Sequence, residues 1–204
     1  MTQFEVIEHK DGIKKNEHII YCINYVDPSF AVASIDRKLE KGSLVLLDGN
    51  NVILDNKVVG NVIKRKSSSE VKVSTDYDIK YTGGYSLDGK TIYLDEHFPR
   101  ILHVEGKEVD AVKSIGLHHE LPEKWLSDEK YEYPYAHEIA TGIEKQYVES
   151  LGVTWKGYCD EVDKNLRQVY KRELGKSPSA LDLAPYLYCR DQEALKEIRK
   201  SEEI

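Results

Sequence analysis

A chain of 204 residues with 40% hydrophobic and 32% charged residues has enough apolar material for a buried core, which excludes an intrinsically disordered segment. Its formal charge of −7, from 29 basic and 36 acidic residues, repels phosphate backbones, so nucleic acid is not an expected partner. No apolar run spans a bilayer, and the opening Met-Thr-Gln-Phe-Glu lacks the basic and apolar regions of a signal peptide. Cys22, Cys159 and Cys189 form neither a Cys-x-x-Cys pair nor an even disulfide set, so the expected compartment is a reducing cytoplasm, with no membrane partner.

The first part of the chain reads as β. Ile19-Ile20-Tyr21-Cys22-Ile23 is a short β-rich run, and residues 31–39 suggest a short helix. Leu44-Val45-Leu46-Leu47 leads through Asp48-Gly49-Asn50-Asn51 into Val52-Ile53-Leu54. A second turn at Asp55-Asn56-Lys57 leads to residues 58–63, so residues 43–64 look like a three-stranded meander. Residues 64–70, a basic triplet followed by three serines and a glutamate, read as a linker, and the basic triplet as a solvated face. The boundaries predicted on this basis are a β-rich region over residues 1–66 and an α+β region over residues 70–204.

Beyond the linker, Tyr85-Ser86-Leu87 turns at Asp88-Gly89 into Thr91-Ile92-Tyr93-Leu94-Asp95, a hairpin pattern. From Val109 the spacing becomes helical. Val109, Val112 and Ile115 mark one apolar face; Ala136, Ile139, Ala140, Ile143, Tyr147 and Leu151 mark a longer one. Further helices are expected over residues 155–174, stopping at Gly175, and over residues 179–200 with a break at Pro185. The fold class is therefore α+β, with a β-rich N-terminal half of hairpins and meander and a helical C-terminal half.

The second half carries a metal-ligand pattern. Read as helical, His119 and Glu123 in His119-Glu120-Leu121-Pro122-Glu123 lie four residues apart on one face, where both reach one ion. Glu120 is turned away by about 100° per residue step, toward a metal-bound water. His137, at the start of the next helix, supplies a third ligand, and Glu144, seven residues later, either a fourth ligand or an acceptor that orients a ligand histidine. This is the layout of His-Glu-x-x-His zinc hydrolases with a carboxylate in place of the second histidine. It assigns zinc to His119, Glu123 and His137, and the role of general base to Glu120. Pro122 counts against a continuous helix, at about 3 kcal/mol, unless the helix begins near His119. His118 reads as a surface or capping residue, and His9, His18, His97 and His103, which lack partner spacing, as structural.

The run from Gly83 to Asp95, Gly-Gly-Tyr-Ser-Leu-Asp-Gly-Lys-Thr-Ile-Tyr-Leu-Asp, stands ahead of His119-Glu120-x-x-Glu123 and Ala136-His137-x-x-Ala140-Thr141-x-x-Glu144. Together with Trp155-x-x-Tyr158, it resembles a group of uncharacterised phage and prophage proteins with a zincin-like metallopeptidase pattern. The resemblance covers about residues 83–158. It implies a zinc-dependent peptidase acting on a peptide or protein, located in a host cytoplasm or a virion. An extended substrate would then pair with the strand Thr91-Ile92-Tyr93-Leu94-Asp95. Two other readings stand beside this one. The first is a non-enzymatic virion or host-interaction protein, whose His/Glu cluster is a structural metal site or a polar network. The second is a two-metal carboxylate site drawing on Glu120, Glu123, Glu138 and Glu144.

Overall fold

The computed structural model describes residues 1–12 and 17–202, so the last two residues of the expected second region lie outside the described residues. The chain divides into two compact units, Met1–Glu70 and Val71–Ile204, and its class is α+β.

In the first unit, six antiparallel strands close into a barrel. They are β1 (Thr2–Asp11), β2 (His18–Asn24), β3 (Ser29–Ile35), β4 (Leu44–Asp48), β5 (Asn51–Leu54) and β6 (Lys57–Ser67). Their order is β1-β2-β3-β6-β5-β4, and β4 returns to β1. The β4-β5-β6 meander forms where the turn chemistry placed it. Asp55 and Asn56 take φ of 50° and 60°, the left-handed pair that a two-residue hairpin turn requires and that short Asx side chains tolerate. Phe4, Val6, Ile20, Cys22, Ala33, Val45, Leu47, Val52 and Val59 fill the interior. Register shifts between Val6 and Glu8, Val32 and Ala33, and Val52 and Ile53 add the local bend that closure needs.

Two expectations are corrected in this unit. Residues 31–39 are not a helix, because Ser29–Ile35 is β3, paired on both sides. Ala31 and Ala33 favour a helix in isolation, but here they are small residues in the core of a narrow barrel, and tertiary packing overrides propensity. Residues 64–70 are not a linker throughout, because Lys64 to Ser67 end β6 and pair with Val32 to Ser29. Lys64 and Arg65 are exposed there while their backbone is tied into the sheet, so composition alone gives a misleading signal.

In the second unit, β7 (Lys72–Ser74), β8 (Gly83–Tyr85) and β9 (Thr91–Leu94) form a sheet in the order β7-β9-β8, with β7 parallel and β8 antiparallel to β9. The strand expected to receive a peptide is therefore the central one, with both edges taken, and β8 is an edge. A second hairpin, β10 (Ile101–Val104) and β11 (Lys107–Asp110), turns at Glu105 and Gly106. Val109 thus belongs to a strand and not to a helix face. The helices come next: a π-type helix Val112–Glu120, then α1 (Leu121–Asp128), α2 (Tyr133–Ser150), α3 (Trp155–Val169), α4 (Ala184–Tyr188) and α5 (Gln192–Glu202). The helix expected over residues 179–200 is two helices. Pro185 does not break it but stands in the first turn of α4, where its missing N–H costs nothing. The break falls between Tyr188 and Gln192, where Arg190 takes a φ of 56°. Leu94, Phe98, Leu102, Val109, Ile115, Val148 and Tyr158 form one core cluster; Ile79, Tyr93, Leu181, Tyr186, Leu195 and Ile198 form another. No helix among the described residues is long and apolar enough to cross a membrane.

Candidate metal centre

The segment that carries the His-Glu pair is wound more widely than an α-helix. The Leu121 N–H bonds the Gly116 carbonyl, five residues back, where an α-helix would reach four. Pro122 accounts for the change of pitch. It lacks an N–H and, in a continuous α-helix, its ring would strike the carbonyl four residues earlier. It sits in the first turn of α1, after the wide turns have ended. At Gly116 the helix crosses the sheet closely, since a Cβ there would lie 3.6 Å from Ile92 and 3.9 Å from Val73.

His119, near the end of the wide helix, Glu123 in α1 and His137 in α2 converge. His119 Nε2 lies 3.2 Å from His137 Nδ1 and 3.7 Å from Glu123 Oε2, and the latter two atoms are 2.8 Å apart. A tetrahedral zinc about 2.0–2.1 Å from each ligand holds the ligand atoms roughly 3.3 Å from one another, within the range spanned by these separations. The donor set, two imidazoles and a carboxylate, is also one that zinc accepts.

The surrounding side chains hold these groups in place. His119 Nδ1 donates to Glu144 Oε2 at 2.9 Å, which fixes the ring and turns Nε2 toward Glu123 and His137. Glu144 therefore lies behind His119, as an acceptor that orients the ring, outside the cluster of three. Its other oxygen accepts from the Tyr158 hydroxyl at 2.6 Å, and that hydroxyl lies 2.9 Å from the Ser114 hydroxyl. Tyr85 donates to Glu123 Oε1 at 3.0 Å, leaving Oε2 for the cluster. Tyr133 stacks on His137.

No protein-family model, curated protein or solved structure matches this chain. The reading of the site rests on its own geometry and chemistry.

Burial opposes charge on His119, but its hydrogen bonds to Glu123 and Glu144 and the charges of Glu144 and Glu120 outweigh it and raise its pKa well above the usual histidine value. Burial would likewise raise Glu123, yet hydrogen bonds from His119 and His137 hold it down to about 2. A divalent ion bound between these groups would compete with protons for them, so its binding would weaken as pH falls.

Glu120 behaves differently. It is buried on the wall of a cavity of about 340 Å³ lined by His119, Glu123, His137, Gly83, Tyr133 and Tyr186, among others. Among the described residues its carboxylate makes no hydrogen bond. Gly83 permits this placement, because a Cβ on that residue would come within 3.0 Å of Glu120. Burial pushes the Glu120 carboxyl up to about 8, with Glu123 and Glu144 adding to the shift and His119 opposing it.

The raised pKa makes stability depend on pH. The folded chain keeps a proton on Glu120 that the unfolded chain releases above about 4.5, so the carboxyl lowers stability progressively between pH 4.5 and about 8 and no further above that. Relative to Glu120→Gln, the metal-free wild type is expected to lose of order a few kcal/mol across this window. Urea unfolding of both proteins from pH 4 to 9 measures the difference. A pH-independent difference would contradict the environment described for Glu120.

The other residues considered from the sequence fall elsewhere in the molecule. His118 is neither at the surface nor a cap: it is buried and stacked on Tyr147, with Nδ1 2.7 Å from the Lys113 carbonyl. Glu138 is exposed and does not line the cavity, which removes it from a two-metal cluster. Sequence spacing does not single out Gly83, Tyr85, Tyr133 or Tyr158 as site residues. They reach the centre from other elements, with only the Gly83-Gly84 break and the Trp155-x-x-Tyr158 echo as hints.

Proposed function

We propose that the second unit is a zinc-dependent hydrolase, most simply a peptidase, in which His119, Glu123 and His137 hold the metal and Glu120 is the general base. The observation that carries the reading is the convergence of three zinc-compatible donor atoms, 2.8 to 3.7 Å apart, on a cavity whose wall also holds a carboxyl without a hydrogen-bond partner among the described residues. Zinc bound there would polarise a scissile carbonyl and acidify a water at neutral pH. The charge of a bound zinc would favour the ionised form of Glu120, which could then take a proton from that water and pass it to a leaving amine. The hydrogen bond to Glu144 keeps His119 in the tautomer that presents Nε2.

The edge strand β8 supports an extended peptide as substrate. Thr82 accepts from Asp95 and Ser86 donates to Thr91, so the alternation of an antiparallel ladder turns the Gly83 N–H and C=O away from β9. Gly83 also lines the cavity, which places an unpaired stretch of strand edge beside the candidate ligands. Outward-facing Tyr85 already accepts from the Asp182 N–H, so this edge is open only on the Gly83 side.

The test is metal content. Chain purified without added metal is expected to carry about one zinc at this centre, removed by chelator and restored by zinc alone, with peptide hydrolysis following the zinc. A folded protein that retains no transition metal and takes up none on dialysis would overturn the proposal.

A further inference from the structure

A second cluster of metal-ligating groups lies in the first unit, at the β1-β2 hairpin. β1 runs with Phe4 and Val6 facing the barrel interior, and simple alternation would send His9 and Asp11 outward. The register shift between Val6 and Glu8 reverses this, so His9 pairs with Ile20 and Asp11 with His18. Ile20 is a core residue and His18 lies two positions before it, across from the core residue Ile35 on β3. The bulge thus puts His9, Asp11 and His18 on one face, continuous with the barrel interior.

In this arrangement, one ligand atom from each of the three residues lies within 4.8 Å of the others. His18 Nδ1 is 3.5 Å from Asp11 Oδ1, and the two imidazole rings are 4.8 Å apart between centroids. His9 Nε2 and His18 Nδ1 are both buried and, among the described residues, have no hydrogen-bond partner. A buried imidazole nitrogen without a partner is costly, and two beside each other call for an occupant. The Asp11 side chain is 93% exposed, which leaves one side of the cluster open to solvent.

We propose that His9 Nε2, His18 Nδ1 and the Asp11 carboxylate form a second site for a divalent transition metal of the zinc, nickel or copper class, which clips β1 to β2. Two imidazoles and one carboxylate are the donors this class prefers over calcium or magnesium, which require oxygen. Roughly 3.3 Å between ligand atoms is needed for tetrahedral zinc, so the carboxylate and His18 already stand near the required spacing. The inference is independent of the hydrolase reading, because it shares no residue with that centre.

The experiment uses the full chain carrying His119→Ala and His137→Ala, which removes the first centre, and titrates it with zinc alone by calorimetry. One equivalent is expected to bind, and adding His18→Asn is expected to weaken it at least about 100-fold, since loss of even an indirect partner typically costs 10- to 100-fold. A chain that binds no zinc, or binds it equally well without His18, would overturn the site. Should the double variant fail to fold, the wild type serves instead. NMR of its histidine ring protons during zinc addition is expected to show His9 and His18 shifting together, and unmoved His9 and His18 signals at saturating zinc would equally sink the proposal.

Discussion

Glu120→Gln is expected to leave zinc bound and to lower peptide hydrolysis by about 10²- to 10⁴-fold, the usual contribution of a positioned general base. The substitution keeps the shape of the side chain on the cavity wall and removes only its ability to take a proton. Metal content separates this outcome from a general failure, because His119, Glu123 and His137 are untouched. A Glu120→Gln protein that keeps both zinc and full activity would remove Glu120 from the chemistry. If zinc binds and no hydrolysis is ever found, the centre is better read as a structural metal site.

His119→Ala is expected to act on two measurements at once. Removing a proposed zinc ligand should weaken metal binding at least about 100-fold, more than the loss of an indirect partner costs. It also leaves Glu123 and Glu144, both buried, without their shared partner. Taking one member from a buried charged pair costs about 3–5 kcal/mol, so the metal-free variant should unfold at markedly lower urea concentration. His137→Ala provides the contrast, since His137 is exposed and has no Glu144 behind it. It should weaken zinc binding with a smaller loss of metal-free stability. Equal stability losses for the two variants would contradict the supporting role given to Glu144.

The features legible in the sequence are mostly local. The turns at Gly49-Asn50 and Asp55-Asn56 announce themselves, because few residues accept positive φ, and the hairpins on either side result from them. The apolar stripe from Ala136 to Leu151 marks α2, whose C-cap is Leu151, by its helical spacing. The readings that failed depended on distant partners. Ala31 and Ala33 become strand because β2 and β6 flank them, and Lys64 to Ser67 become strand because β3 does. At the candidate centre, His119, Glu123 and His137 are residue types that ligate metals and could be grouped from that pattern, whereas Tyr85 and Tyr158 carry no such signal and reach Glu123 and Glu144 only through tertiary packing. His9 and His18 looked unrelated for a related reason: only a bulge brings them to one face.

The wide helix also bears on which changes of length this part of the chain tolerates. A turn that takes up more residues than an α-helix can be viewed as an α-helix with residues inserted, and such segments collect at working sites because the insertion re-aims the side chains after it. In this chain those side chains include Glu120 and Glu123, one on the cavity wall and the other among the candidate ligands. Deleting a single residue from Val112–Glu120 would tighten the wide turns toward the ordinary pitch and re-aim the side chains within them, Glu120 among them. Substitution of the exposed Lys113 should therefore be borne lightly, whereas a one-residue loss in this helix would turn Glu120 from its present place on the cavity wall.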